Sequence, residues 1–402
     1  MREHMNNSNP KSHNRAVDRF DHWIRNRFPT LNTDLENHYA RERESGQVEP
    51  GSLSGALREE GSSLIQEILD SEQELGRSFD ELFDLLGNVG LFMAACTRHG
   101  LNQPVKGASL LVGASRLAIQ LAEELDVAPR FLAAHLSLRN PAQNGRYKLF
   151  TTLASERMFI DYNARGMLAY QSAARALKSV LGIGVSSRWA PDLWADAARA
   201  LEKALESNHR LFKNLEVESF FYHVRPYYRP HHVGERVYRG ANAGDFAAIN
   251  EVDLLLGLCT SGDPFYQGVL REKRDYLLPE DRASLDSTGG RVSLLDQFLE
   301  EANASSGRAK EWWQPSLRGF LGVCRLHGAI AAVHHNALVD RFISRPASEL
   351  AEEQLHEITA SGPPLAELVP HLEKLRDLRT AADREDIQSR HRDLEFLKRL
   401  DW

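Results

Sequence analysis

The residues best placed for chemistry in this chain are one histidine, one arginine and one glycine-spaced loop. The histidine is His335, inside the run Leu317–Ile343, which has no internal proline and reads as one long, mostly buried helix. At helical spacings from His335 stand Gly328 two turns before, Ala331 and Ala332 one turn before, Leu338 and Val339 one turn after, and Phe342 two turns on. That face is small and apolar around a single imidazole. A neutral imidazole is the commonest metal ligand, and small neighbours leave room for a flat group such as haem. The competing reading is a core histidine bonded to a carbonyl. His334 shares its face with His327 and Arg341 instead, which suits a polar boundary.

The arginine is Arg225. It stands between Phe220, Phe221 and Tyr222 on one side and Tyr227 and Tyr228 on the other. A guanidinium among aromatics can hold a carboxylate through two parallel hydrogen bonds at the mouth of an apolar pocket. The alternative is a structural ion pair with an acidic helix. Downstream, HHVGERVYRGANAGDF has glycines at 234, 240 and 244, and its Asn242-Ala243-Gly244 stretch could lie close against a bound molecule.

The elements that must position these groups are helical. Segments from Ala56, from Ser78 to Gly100, from Thr151 to Leu181 and from Arg188 to Phe212 all read as helical. Pro191 and Asp192 mark one helix start, and Asp263 before Pro264 marks another. Pro129 suits the first turn of a further helix, while Gly87 and Gly90 inside an apolar helix point to close packing. No period-two stretch is long enough to read as a strand. AVDRFDHWIRNRF reads as an amphipathic helix, RERESGQVEPGSLSG as a loop, and the charged run from His371 to Leu400 as a solvated helical tail.

The chain has 402 residues, enough for a large core, with a net charge of -7 and a pI near 6.2. There is no basic block to follow a phosphate backbone, so nucleic acid is not an expected partner. Three cysteines, Cys96, Cys259 and Cys324, form no CxxC pair and fit a reducing cytoplasm. No apolar run reaches the roughly 18 residues of a membrane span, and the polar N-terminus lacks a signal-peptide core. The expectation is a soluble cytoplasmic protein, for which a homodimer is compatible.

In order along the chain, FFYHVRPYY, the NAG of GANAGDF, LLLGLC, VLREKRDYLLP and HHNALVDRFI resemble the haem-dependent indoleamine 2,3-dioxygenase superfamily. NVGLFMAACTRHG and LAEELDVAPRFLAAHLSLRNP add a likeness to its monodechloroaminopyrrolnitrin synthase branch. The resemblance covers about Ser78 to Leu365. It implies an all-α fold, with a polar extension over 1–50, a smaller helical domain over 51–150 and a haem-binding helical domain over 151–402.

By the same resemblance His335 would hold the iron of haem b, with Gly328, Ala331, Ala332, Val339 and Asn242 around the cofactor. Arg225 would pair with an amino-acid carboxylate, beside Phe220, Phe221, Tyr162, Gly166, Ala243 and Gly244. Gly166 stands where relatives often carry a hydroxyl, and TASGPPL stands where they have a flexible lid. The implied activity is that of a haem-dependent oxygenase. It would act on an aromatic amino acid, tryptophan or a substituted tryptophan, in specialised metabolism, with O2 or peroxide as co-substrate. The alternatives are a non-catalytic haem sensor or carrier and a haem-free helical scaffold.

Overall fold

The computed structural model describes residues 15–45, 51–71, 78–105, 107–304, 308, 310–336 and 365–401. Val339, the C-terminal part of the His335 run and residues 359–364 of TASGPPL lie outside the described residues. Among the described residues the architecture is all-helical apart from one two-stranded hairpin.

The helices are α1 (Ala16–Ser45), α2 (Gly51–Asp70), α3 (Phe79–Arg98), α4 (Val112–Leu125), the single turn α5 (Ala133–Leu136), α6 (Ala154–Ile183) and α7 (Ala190–Asn214). After the short turn α8 (Val217–Ser219) come a π turn over Phe220–Val224 and a 3-10 turn over Arg225–Tyr228. Strands β1 (His231–Val233) and β2 (Arg236–Tyr238) pair antiparallel, with His232 opposite Val237. Then follow α9 (Ala247–Leu256), α10 (Pro264–Lys273), α11 (Pro279–Gly289), α12 (Leu294–Asn303), α13 (Trp313–Val333), α14 (Leu365–Arg379) and α15 (His391–Lys398).

Local chemistry accounts for several boundaries. Ser78 accepts from the Glu81 amide while the Glu81 carboxylate accepts from the Ser78 amide, so α3 begins with a reciprocal cap. Asp263 accepts from the amides of Phe265 and Tyr266, and Pro264 fills the first position of α10. Gly87 and Gly90 are where α3 touches its neighbour. A β-carbon at Gly90 would stand 2.1 Å from the backbone nitrogen of Phe131, and one at Gly87 would stand 2.5 Å from the His135 ring.

Three sequence expectations are corrected. The helix anticipated from Pro129 shrinks to the four residues of α5, because the chain bends at Pro129 and Arg130, where the Arg130 amide donates to the Ala128 carbonyl, and the Phe131 backbone is pressed against Gly90 of α3. RERES continues α1, and GSLSG opens α2. The HHVGERVY segment forms a hairpin turning at Gly234, whose φ of +59° suits glycine.

The apolar faces make two main cores. Phe20, Ile24, Phe28 and Leu31 of α1 pack with Leu86, Val89 and Phe92 of α3 and with Phe131 and Phe150. The second core gathers α6, α7, α9, α12, α13 and α15 around Trp194, Trp313 and Phe320. The Phe220–Tyr228 stretch spans the seam. Phe220 and Val224 pack with Leu211 and Phe212 of α7, while Tyr227 belongs to the first core.

Candidate functional site

Beside the second core is a cavity walled mainly by four pieces of chain, with Ala204 and Asn208 of α7, Ile249 of α9 and Val269 and Glu272 of α10 also lining it. α6 contributes Asn163, Gly166, Met167 and Tyr170, at i, i+3, i+4 and i+7 on one face. α13 and the π turn that prolongs it contribute Ile330, Ala331, His334 and His335. The third piece is the Asn242–Phe246 loop, with Lys273 behind it. The fourth is the face of α14 that carries His371, Leu372, Leu375, Arg376 and Arg379.

His335 is buried at this wall, its Nε2 3.6 Å from Glu373 Oε1 of α14. His334 behaves differently. Its ring has accessible surface, yet burial, and after it the charges of Arg379 and His335, push its imidazolium down to about 4. Both observations hold together if the accessible surface faces the cavity and not bulk water. At neutral pH His334 is therefore an uncharged imidazole, the form that ligates metals.

The loop is held by its own bonds. Arg239 donates to both Asp245 oxygens at 2.9 Å, and Asp245 accepts from the Asn242 amide. Asn242 Oδ1 accepts from the Gly244 amide, and Lys273 Nζ donates to the Gly244 carbonyl and to Asn250 Oδ1. Burial first, and then Arg379, pushes the Lys273 ammonium down to about 8. A β-carbon at Gly166 would meet nothing within 4 Å, so this position opens onto free space.

Beneath the cavity lies a polar network closed on itself. Asp253 of α9 accepts from Arg379 Nε and Nη2, both at 2.8 Å, from His327 Nε2 at 2.7 Å and from Tyr266 Oη at 2.8 Å. Burial alone would raise the Asp253 carboxyl, but Arg379 and His327 outweigh it and hold it far below the usual carboxylate range. Tyr170 Oη lies 3.1 Å from His327 Nδ1.

Arg225 sits apart from this cavity, at the seam between the cores. It is 4 % exposed, stacks over the Phe221 ring at 5.3 Å, and its Nη1 and Nη2 have no hydrogen-bond partner among the described residues. Burial, then the nearby Arg229, lowers its guanidinium to about 10, so it stays charged at neutral pH. Its surroundings reach the histidine helix: Phe220 and Val224 cluster with Tyr162 of α6 and with Val333, the residue before His334.

The expected site residues thus divide. Gly166, Asn242, Ala243, Gly244, Ala331 and His335 share the cavity. Phe220, Phe221, Tyr162 and Arg225 lie outside the cavity: Phe220 and Tyr162 share an apolar cluster with Val333, and Arg225 stacks over Phe221. Gly328 and Ala332 turn to another side of α13, facing a separate cleft closed by Arg379 and Thr380. The reason is helical phase: Ile330, Ala331 and His334 set the cavity face, and Gly328 and Ala332 point roughly a quarter turn or more away from its centre.

Sequence reasoning missed the C-terminal wall. The tail read as a solvated helix, but α14 lines the cavity and anchors Arg379 to Asp253, 126 residues earlier. Its alternation of charge and leucine is the same whether a helix faces water or caps a polar cavity, so no local signal marked it.

The donor set suits haem. Among the described residues no three His, Cys, Asp or Glu side chains come together as a bare-metal site. A macrocycle that brings its own nitrogens needs only one protein imidazole, an apolar wall such as Met167, Ile330 and Leu375 supply, and cations such as Lys273 and Arg376 for its carboxylates. No described helix is long and apolar enough to cross a membrane. A family model described as monodechloroaminopyrrolnitrin synthase PrnB matches residues 14–400, and so takes in α1 as well as the segments from Ser78 onward.

Proposed function

The chain belongs to the monodechloroaminopyrrolnitrin synthase PrnB family, and from that premise we propose a haem b-dependent oxygenase acting on tryptophan or a substituted tryptophan. The family is one of haem-dependent oxygenases. The observation that carries the substrate class is Arg225. A buried guanidinium with both terminal nitrogens unpaired carries a desolvation cost of several kcal/mol that an incoming carboxylate would offset. The aromatic rings around it, Phe220, Phe221 and Tyr162, suit an aromatic amino acid better than an aliphatic one.

In this reading haem, with O2 or peroxide, supplies the oxidising chemistry when bound. His335 is the iron ligand by family register, and Ala331 one turn before it keeps the approach open. Arg225 fixes the substrate carboxylate, and Phe220, Phe221 and Tyr162 hold the ring. The self-bonded Asn242–Gly244 loop presents a small-residue edge between substrate and cofactor, and the free space over Gly166 leaves room where a hydroxyl would otherwise stand. These groups act by orientation and by exclusion of water.

The experiment compares tryptophan with tryptamine, which lacks the carboxylate. Wild type should bind the amino acid far more tightly. Arg225→Ala should lose about 3 to 5 kcal/mol of tryptophan affinity, roughly two to three and a half powers of ten, and should hardly distinguish the two ligands. A haem-loaded Arg225→Ala protein that still prefers tryptophan would defeat the assignment.

His334 offers a second reading of the iron ligand, favoured by its cavity-facing surface. His335→Ala should abolish haem retention and His334→Ala should keep it, read from the visible absorption of the purified proteins. The reverse outcome would move the ligand by one residue.

A further inference from the structure

The Tyr170–His327–Asp253 array is not needed to bind cofactor or substrate in the reading above, and its geometry has a direction. Tyr170 lines the same cavity as the two imidazoles. Its phenol oxygen is 3.1 Å from His327 Nδ1, and His327 Nε2 is 2.7 Å from Asp253 Oδ1. An ionised carboxylate can only accept, and Asp253 is ionised because Arg379 and His327 hold its carboxyl down against burial. His327 Nε2 must therefore carry the hydrogen. Nδ1 is left as an acceptor, and the Tyr170 hydroxyl donates to it.

Burial raises the Tyr170 hydroxyl well above its ordinary value, so the phenolate is not a stable resting form. Burial also lowers the His327 imidazolium, which leaves the ring neutral and ready to take a proton. A phenol that cannot ionise alone, but whose proton has an acceptor at hydrogen-bond distance, is arranged to lose proton and electron together.

Resting on the haem reading, we propose that Tyr170 is a one-electron donor to the oxidised cofactor, with His327 as its proton acceptor. The oxidant is ferric haem that has reacted with hydrogen peroxide. One electron passes from the Tyr170 ring to it, the phenolic O–H bond breaks, and the proton forms an N–H bond at His327 Nδ1. The products are a neutral tyrosyl radical, an imidazolium beside Asp253, and an oxidant reduced by one electron. When the electron returns, the proton goes back from Nδ1 to the phenol oxygen. The array would thus hold an oxidising equivalent that finds no organic substrate.

The test uses the full-length haem-loaded protein, mixed in its ferric form with hydrogen peroxide alone, frozen, and read by electron paramagnetic resonance. Wild type should give a free-radical signal with tyrosine ring-hydrogen splitting, and growth on ring-deuterated tyrosine should collapse that splitting. Tyr170→Phe should lose the signal. Tyr266→Phe, which touches Asp253 but does not line the cavity, should retain it. His327→Gln keeps a polar side chain but provides no proton acceptor, and should also lose the signal, so that the assignment does not depend on one variant folding. The same split spectrum in Tyr170→Phe or His327→Gln would overturn the proposal, as would its absence from wild type with an intact haem absorption band. A wild-type protein with no haem band would instead defeat the functional reading, and this step would fall with it.

Discussion

Arg225 and Arg379 are both buried arginines close to the histidine end of α13, and their surroundings are opposite. Arg379 is paired twice with Asp253, which also receives His327 and Tyr266. Arg225 has an aromatic face and two unpaired nitrogens. A closed network gains nothing from a ligand and fixes geometry. An open donor pair on a rigid aromatic support is under-satisfied until an anion arrives. The same residue type at the same depth therefore serves as a brace in one region and, in the proposed function, as a binding group in the other.

The contrast breaks most visibly if Asp253 is removed. Asp253→Ala leaves Arg379 buried without its partner and should cost about 3 to 5 kcal/mol of stability, read as a large fall in Tm. An unchanged Tm would mean that the brace carries no load.

A paired arginine on the other side of the seam sharpens the comparison. Glu36, almost fully buried, accepts from Arg98 at 2.7 and 2.8 Å and lies 2.9 Å from His223. Burial would raise its carboxyl, but Arg98 and His223 reverse this and hold it down to about 2, against an ordinary 4.5. Because the folded value is the lower one, the stabilisation is complete above pH 4.5 and is lost as pH falls towards 2. Over that window wild type should lose about 3 kcal/mol through this group. Glu36→Gln should remove that part of the acid slope while lowering stability at neutral pH. An acid limb of unchanged slope in the variant would show that Glu36 is not the group titrating.

The smallest effect belongs to Arg225 in the absence of substrate. Arg225→Met should leave stability within about 1 kcal/mol of wild type or raise it, since an apolar side chain of similar volume often replaces a buried charge without loss. A fall as large as that of Asp253→Ala would make Arg225 a brace after all, and the open-clamp reading would fail.

Helical periodicity, the cap at Asp263 and the close approach at Gly87 and Gly90 were legible in the sequence, and the family resemblance added the association of a histidine helix with a glycine loop. Each depends on residues within a turn or two of one another, or on a short glycine-marked approach. The phase of α13 was less so, because His334 and His335 are adjacent and the π turn at this point brings both of them to the cavity. The floor and far wall were not legible at all. Asp253, His327, Tyr170 and Arg379 lie on four separate helices and meet only when α9, α13, α6 and α14 pack. Local patterning determined that this chain would be helical and where an imidazole and a guanidinium would be set among apolar neighbours. Tertiary packing decided which of its charges are satisfied, because whether a buried charge has a partner depends on a group supplied from elsewhere in the chain.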